Sequence, residues 1–286
     1  MKLYSISFKV EIGFEDIFEA IIENGFLDIL GYNVEYPAKE NSAIINIYNE
    51  TKEKLENNLN IIKNYLEIDY SYEIKELDSE KYLTSYMDYL KPFKVGNITI
   101  VPNLRDYYKD LKEPIIYIAK QYAFGSGTHE TTYLALEMIN QYSLNNDIKL
   151  RSIADIGCGS GILSLFSYKL GARNITSVDI DSDAVHCSLD NAKYNDINLN
   201  NVILGNAKDL NNMNLKFDLV VANIETDILI EIIADLKKLL KENSYLILSG
   251  ILLEKESSMN NVLREKKLKI IDRKRKNDWV ALMLSL

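Results

Sequence analysis

The stretch AFGSGTHETT, residues 123–132, gathers two glycines, a serine, three threonines and one of the chain's two histidines directly before the helix-like run YLALEMI. Such a set could serve a nucleophile loop, a metal site, a phosphate cradle or the lid over another ligand. No serine or cysteine nucleophile motif accompanies His129, and two histidines make a poor metal site, so no metal is expected. A second motif narrows the choice. Residues 155–161 read Asp-Ile-Gly-Cys-Gly-Ser-Gly, between an apolar run (SIADIG) and a helix-like one (ILSLFSYKLG). Glycines at 157, 159 and 161 let a ligand approach the backbone and lie over a helix N-terminus. A dinucleotide fingerprint would space them G-x-G-x-x-G, and Ile162 stands where the third should be. Asp155, which opens the turn, is unhelpful beside a pyrophosphate. It suits a cationic ligand, such as the amino group and sulfonium of S-adenosyl-L-methionine.

Two further strand ends carry chemistry. Val178-Asp179-Ile180-Asp181 puts a carboxylate where it can accept both hydroxyls of a ribose. Asp179 ends the strand and is the expected ribose ligand, while Asp181, before SDAVHCSL, is expected to cap the next helix. Val221-Ala222-Asn223-Ile224 brings a neutral amide to the carboxyl edge of the same sheet. Glycine turn, acid and amide together imply a class I methyltransferase that uses S-adenosyl-L-methionine.

The chain resembles the PrmA-type methyltransferases, which modify protein 11 of the large ribosomal subunit, and the similarity runs its whole length. Phe124-Gly125-Ser126-Gly127-Thr128-His129 is similar to that family's Phe-Gly-Thr-Gly-Thr-His signature. Also similar are residues 91–96 (KPFKVG), 155–163 (DIGCGSGIL), 178–181, 221–224, 249–252 (SGIL) and a closing Trp279. The resemblance implies N-methylation of lysine or amino groups on that protein, and cofactor contacts from Thr132, Gly157, Asp179 and Asn223. Around these, Asp155, Gly159, Gly161, Phe124 and Thr128 complete the expected cofactor site. Thr132 is expected to hold the methionine carboxylate, and Phe124 to face the sulfonium, a cation–π contact of roughly 0.5–2 kcal/mol. Asn223 and His129 are the catalytic candidates: Asn223 to align the amine, His129 to orient or fix the loop ahead of any direct proton transfer. The chain departs from the family pattern at Ala119-Lys120-Gln121, at Glu130 in place of a proline, and at Glu225-Thr226 in place of small and apolar residues. A different protein, a small molecule or nucleic acid are the alternative targets, and a non-catalytic sensor is the alternative class.

The elements that must position these residues can be read around them. In residues 1–75 the order strand (LYSISFKV), helix (FEDIFEAIIENG, stopped by Gly25), two strands (GYNVEYP, SAIINIYN), helix and strand (SYEIKEL) matches a ferredoxin-like split β-α-β motif. The second helix, TKEKLENNLNIIKNYLE, sets Leu55, Leu59, Ile62 and Leu66 on one face. The resemblance makes this the substrate-recognition domain. Residues 76–122 are read as a linker and the start of the catalytic region, with a short antiparallel pair (KPFKVGNITIVP) and a strand (IIYIA). Residues 123–286 alternate strands and helices, which signals a mostly parallel sheet covered on both faces. Its strands are SIADIG, ITSVDI, FDLVVAN and SYLILSG, and KLKIIDRKRKNDWVALMLSL adds an antiparallel pair at one edge.

Composition limits the rest. With 286 residues, 47% hydrophobic and 26% charged, the chain is long enough for two ordinary globular domains. The net charge of −9 argues against direct nucleic-acid binding and suits a basic protein partner. No apolar run reaches a membrane span, and MKLYSISFKVEIGFED lacks the features of a signal peptide. Cys158 and Cys187 cannot build a disulfide framework. A cytoplasmic location is expected. Cys158 within the glycine turn, His186 on a solvated helix face and the basic runs at 264–267 and 273–276 are expected to carry no chemistry.

Overall fold

A computed structural model of the chain describes residues 3–23, 27–29, 31–37, 41–49, 51–65, 71–77, 92–102, 111, 114–118 and 129–286. The chain divides into two compact units, Met1–Tyr89 and Leu90–Leu286.

In the smaller unit the strict alternation of Ile6, Phe8 and Val10 turns one face of β1 (Leu3–Glu11) inward, and Ala43, Ile45 and Ile47 do the same for β3 (Ser42–Asn49). With β2 (Gly31–Glu35) and β4 (Ser71–Leu77) they form an antiparallel sheet in the order β2-β3-β1-β4. That face is covered by α1 (Glu15–Glu23) and α2 (Lys52–Tyr65). Phe8 meets Phe18 of α1 with ring centroids 5.0 Å apart. Leu55, Leu59 and Ile62 of α2 are buried as their spacing requires, and Thr51 starts the helix by accepting from the Lys54 N–H. The order of elements and the sheet make this unit ferredoxin-like. Gly25 and Leu66 lie outside the described residues.

The larger unit is built on a seven-stranded sheet. Its strands are β8 (Ser152–Ile156), β9 (Asn174–Asp179), β10 (Asn201–Leu204), β11 (Phe217–Asn223), β12 (Leu240–Leu252), β13 (Lys269–Lys276) and β14 (Trp279–Ser285). The order is β10-β9-β8-β11-β12-β14-β13, parallel from β10 to β12, with β14 antiparallel to both neighbours. The short edge strand β10, whose residues are exposed or half-buried, is an addition to the strands expected from the sequence.

Helices cover both faces, as strands buried on two sides demand. On one face α3 (Glu130–Asn145) and α4 (Ile162–Lys169) pack with Ile153, Ile175, Leu219 and Ile247. On the other, α7 (Thr226–Lys238) and α8 (Glu256–Glu265) pack with Ala154, Val220, Leu246 and Leu282. Helices α5 (Ser182–Tyr194) and α6 (Ala207–Asn212) follow β9 and β10.

Three further strands, β5 (Phe93–Val95), β6 (Ile98–Pro102) and β7 (Ile115–Ile118), make a small sheet whose Val95, Ile98, Ile100, Ile116 and Ile118 join the α3 core. The Asn195 side chain clamps β7: it accepts from the Tyr117 N–H at 2.7 Å and donates to the Tyr117 carbonyl at 2.6 Å. At the amino-terminal edge of the large sheet, the Asp218 carboxylate accepts from the Ser152 N–H and hydroxyl and from Lys241, tying β8, β11 and β12 together. Among the described residues no helix is long and apolar enough to cross a membrane.

Candidate cofactor and active site

The chain runs outward from β8 through β9 to β10, then returns to β11 on the other side of β8. This reversal opens a crevice beyond the carboxyl ends of the strands, where ligands bind in such sheets. The glycine turn lies in it. The N–H groups of Gly157 and Cys158 both donate to the Val178 carbonyl, at 2.8 and 3.1 Å, which ties the turn to β9. Gly157 and Gly161 have φ of 70° and 77°, a region that side chains avoid. A Cβ at Gly157 would stand 2.8 Å from the Ile224 side chain, and one at Gly161 2.8 Å from the Ser188 hydroxyl. Helix α5 holds the turn from outside: Ser188 donates to the Gly159 carbonyl and Asn191 to the Ser160 carbonyl, both at 2.9 Å. Cys158 is buried, which pushes its thiol pKa well above the ordinary value. It packs rather than reacts.

Each acid takes a distinct place. Asp155 is 1% exposed, and one of its oxygens accepts from the Ser164 N–H at 3.1 Å and hydroxyl at 2.6 Å. Its other oxygen is buried without a hydrogen-bond partner. Burial raises the carboxyl pKa to about 6; the Ser164 bonds oppose the rise and the nearby Asp179 charge adds to it. Asp179 lines the cavity, with one oxygen accepting from the Gly159 N–H at 2.9 Å and the other from the Asp181 N–H at 3.1 Å. Each oxygen keeps a further lone pair for a hydroxyl donor. Asp181 caps α5 through the Asp183 N–H, as its sequence position indicates.

Asn223, at the end of β11, donates to the Thr132 hydroxyl at 3.3 Å, and its own amide oxygen is buried without a partner. Thr132 is fully buried beneath the start of α3, and Thr131 forms the cavity wall there. The Ser249 hydroxyl fastens this first turn by donating to the Thr131 carbonyl at 2.7 Å. His129 is the N-cap of α3. Its Nδ1 accepts from the Thr131 N–H and lies 2.8 Å from the Thr131 hydroxyl. With Nδ1 accepting, a neutral ring carries its proton on Nε2, a tautomer assigned from the bonding pattern. The ring meets Trp279 edge-on, centroids 5.1 Å apart. Phe124 and Thr128 lie outside the described residues.

Gly157, Gly159, Asp179, Thr131, His129 and Asn223 line a cavity with a volume of about 820 Å³, and Asp155, Gly161 and Thr132 stand behind its wall. One end is framed by Ile180, 77% exposed, with Ala184 and the Gly205-Asn206-Ala207 turn after β10. The other holds His129, Thr131, Asn223, Ile224 and Trp279. Ile180 and the 205–207 turn were missed in the sequence, although each had a signal. An apolar residue directly follows the strand-end acid, and Asn206 and Asp209 have the spacing of the capping box that they form. Among the charged side chains that line the cavity, five are carboxylates (Asp179, Asp181, Glu225, Glu231 and Asp235) and one is an ammonium, Lys208. An acid-lined crevice in which the Asp179 carboxylate keeps free lone pairs fits a ligand that carries hydroxyls and positive charge. His186 is exposed, and its Nδ1 donates to the Ser182 carbonyl of its own helix at 2.6 Å.

Comparison with known proteins agrees with this geometry. The family described as ribosomal protein L11 methyltransferase (PrmA) matches residues 17–286. A ribosomal protein L11 methyltransferase of Campylobacter concisus is 32% identical over 280 residues, covering 98% of this chain and 96% of its own. One from Caldicellulosiruptor saccharolyticus is 32% identical over 253 residues, covering 84% and 80%. The crystal structure of a ribosomal protein L11 methylase from Lactobacillus delbrueckii subsp. bulgaricus superposes with a TM-score of 0.60 at 31% identity, over 68% of this chain and 97% of that one. A match across almost the whole chain, joined to a glycine turn, strand-end acid and strand-end amide around one crevice, places the chain in the ribosomal protein L11 methyltransferase (PrmA) family.

Proposed function

We propose that the protein transfers methyl groups from S-adenosyl-L-methionine to lysine or other amino nitrogens of ribosomal protein L11. The observation that carries this reading is the acid-lined cavity at the strand reversal, with the unpartnered amide oxygen of Asn223 at the end of β11. Asp179 would take the ribose hydroxyls, and Gly157, Gly159 and Gly161 would let the cofactor lie against the backbone. Asp155 would supply negative charge beneath its amino group. Phe124 and Thr128, with the first turn of α3 at Thr131 and Thr132, would close over it. When bound, the donor supplies an electrophilic methyl group on a sulfonium, so the chemistry is an in-line displacement.

The protein's own task is to deliver a neutral amine in line. A lysine amine has an ordinary pKa near ~10.4 and must lose a proton first. Ile224 and Trp279 line the cavity beside Asn223 and offer an apolar wall that disfavours the ammonium. The Asn223 oxygen can accept one N–H of the neutral amine and turn its lone pair toward the methyl group. His129 has Nδ1 committed to Thr131, so its role is to fix the loop rather than to act as the base. The smaller unit, residues 1–75 with the boundary region that follows, would recognise the protein target.

The test is incubation of the purified enzyme with methyl-labelled donor and purified L11, read by mass spectrometry. Label on L11 amino nitrogens is expected. Label confined to another protein, a small molecule or RNA in a parallel lysate would replace L11 as the target.

A further inference from the structure

A cavity shaped only for the donor would end at the carboxyl ends of β8, β9 and β11. This one continues past Asn223 along α7, where Glu225, Ile228, Glu231 and Ile232 line it. Steps of three and four residues keep those side chains on one face of the helix. Ile228 is 44% exposed and lies between two glutamates in the chain. Glu225 occupies the N-cap position of α7 yet makes no side-chain capping bond. Neither Glu225 nor Glu231 has an ion-pair partner among the described residues. Their neighbours differ: Asp227, outside the cavity, pairs with Lys255 at 2.6 Å, and Asp235 pairs with Lys238 at 2.9 Å. Lys255 reaches Glu225 only through its field. Asn223, whose buried amide oxygen has no hydrogen-bond partner, lines the same cavity where α7 begins.

The reacting amine cannot be what these glutamates hold. A carboxylate beside a lysine favours its protonated form, and a protonated amine has no lone pair to attack with. Their charge is useful for a cation that stays charged. We propose that the Glu225–Glu231 face of α7 seats a second, permanently charged lysine or arginine of the protein substrate, flanking the residue to be methylated. The alkyl stem of that side chain lies over Ile228 and its charged head sits between the two carboxylates. Glu225 and Glu231 are then specificity-determining residues, because a neutral or acidic flank would leave them unpaired or repelled. Phosphate-bearing partners are disfavoured by the same charges. This proposal rests on the reading of the protein as an amine methyltransferase of L11.

The experiment measures L11 binding by calorimetry, with the spent donor present, for the wild type and for the E225Q/E231Q variant at two salt concentrations. Methylation kinetics are run in parallel. The variant is expected to bind L11 about five- to tenfold more weakly at low salt, with a flatter salt dependence. KM should rise by a similar factor, with kcat within about twofold and donor affinity unchanged. D227N removes the same charge from the same helix outside the cavity and is expected to behave as wild type. E225D/E231D should recover part of the loss. Equal L11 affinity and salt dependence in E225Q/E231Q and wild type overturns this proposal alone, as does an equal loss in D227N. No binding or labelling of L11 by the wild type overturns both this proposal and the reading beneath it.

Discussion

Asp155 sits where the charge of the site is set, because one of its oxygens is engaged by Ser164 and the other has no partner in a buried position. Its carboxyl titrates near pH 6 in the folded chain, above the ordinary 3.8. The folded state therefore holds this proton to higher pH than the unfolded chain does. For this group alone, stability falls as pH rises from about 4 to about 6, and is level above that. A cation bound nearby favours the ionised form. Affinity for the positively charged donor should then increase with pH up to about 6, by at most roughly tenfold per unit, and stay flat beyond. The spent donor, which has lost the sulfonium charge, should show a weaker dependence. Calorimetric titration of both ligands at pH 5 and 7.5 checks this, and Asp155→Asn should remove the difference between the two. Asp179 carries a separate prediction. Replacing it with alanine would delete charge-assisted acceptors for two hydroxyls, about 2–4 kcal/mol of donor affinity. An unchanged dissociation constant in Asp179→Ala would withdraw the ribose assignment.

At the scale of elements, the first turn of α3 depends on the β13–β14 hairpin, which lies far away in sequence. Asn277, in the left-handed conformation at the hairpin turn, donates to the Glu130 carboxylate at 2.9 Å. The Glu130 carboxyl is held below its ordinary range, chiefly by its own backbone N–H, with Asn277 assisting and burial opposing. Lys276 lies 4.0 Å above the Tyr133 ring, and Trp279 packs on His129. Trp279→Ala should therefore loosen residues 129–133 and weaken donor binding several-fold while the sheet stays intact. Hydrogen exchange that rises in that turn but not in β8 is the expected signature, and uniform exchange across both would show that the hairpin does not brace the helix. These contacts mark the limit of what the residues alone reveal. The glycine turn, Asp179, the Asp181 cap and Asn223 are legible because each is a local pattern at the end of an apolar strand. The Glu130–Asn277 and Asn195–Tyr117 bonds join residues 147 and 78 positions apart, and no local period encodes them. β10 was missed for a different reason: its four residues are exposed or half-buried, so it lacks the buried run that marks its neighbours. The role of Thr226 is also tertiary. Its hydroxyl donates to the Gly250 carbonyl and accepts from the Leu252 N–H, so this departure from the family pattern braces α7 against β12.

At the scale of the whole molecule, the two units keep separate apolar cores. The buried cluster of the smaller one draws on residues between Ile6 and Ile62, and the two clusters of the larger one on residues between Val95 and Leu284. Among the described residues, all those that line the cavity belong to the larger unit. Donor binding and target recognition should therefore be separable by truncation. A fragment spanning Leu90–Leu286 retains the small β5–β7 sheet, both faces of the large sheet and all the residues around the glycine turn. It is expected to unfold in one cooperative transition and to bind the donor within about threefold of the full chain. Its action on L11 should fall far more steeply, by roughly a hundredfold or more. Contacts remote from the reacting amine supply the binding energy that orients it, and tethering the smaller unit makes those contacts effectively intramolecular. Calorimetry with the donor and labelled-methyl transfer to L11, run on the same fragment, separate the two effects. Full-rate methylation by the fragment would mean that the larger unit selects its own target, and the glutamates of α7 would then be the first place to look for how it does so.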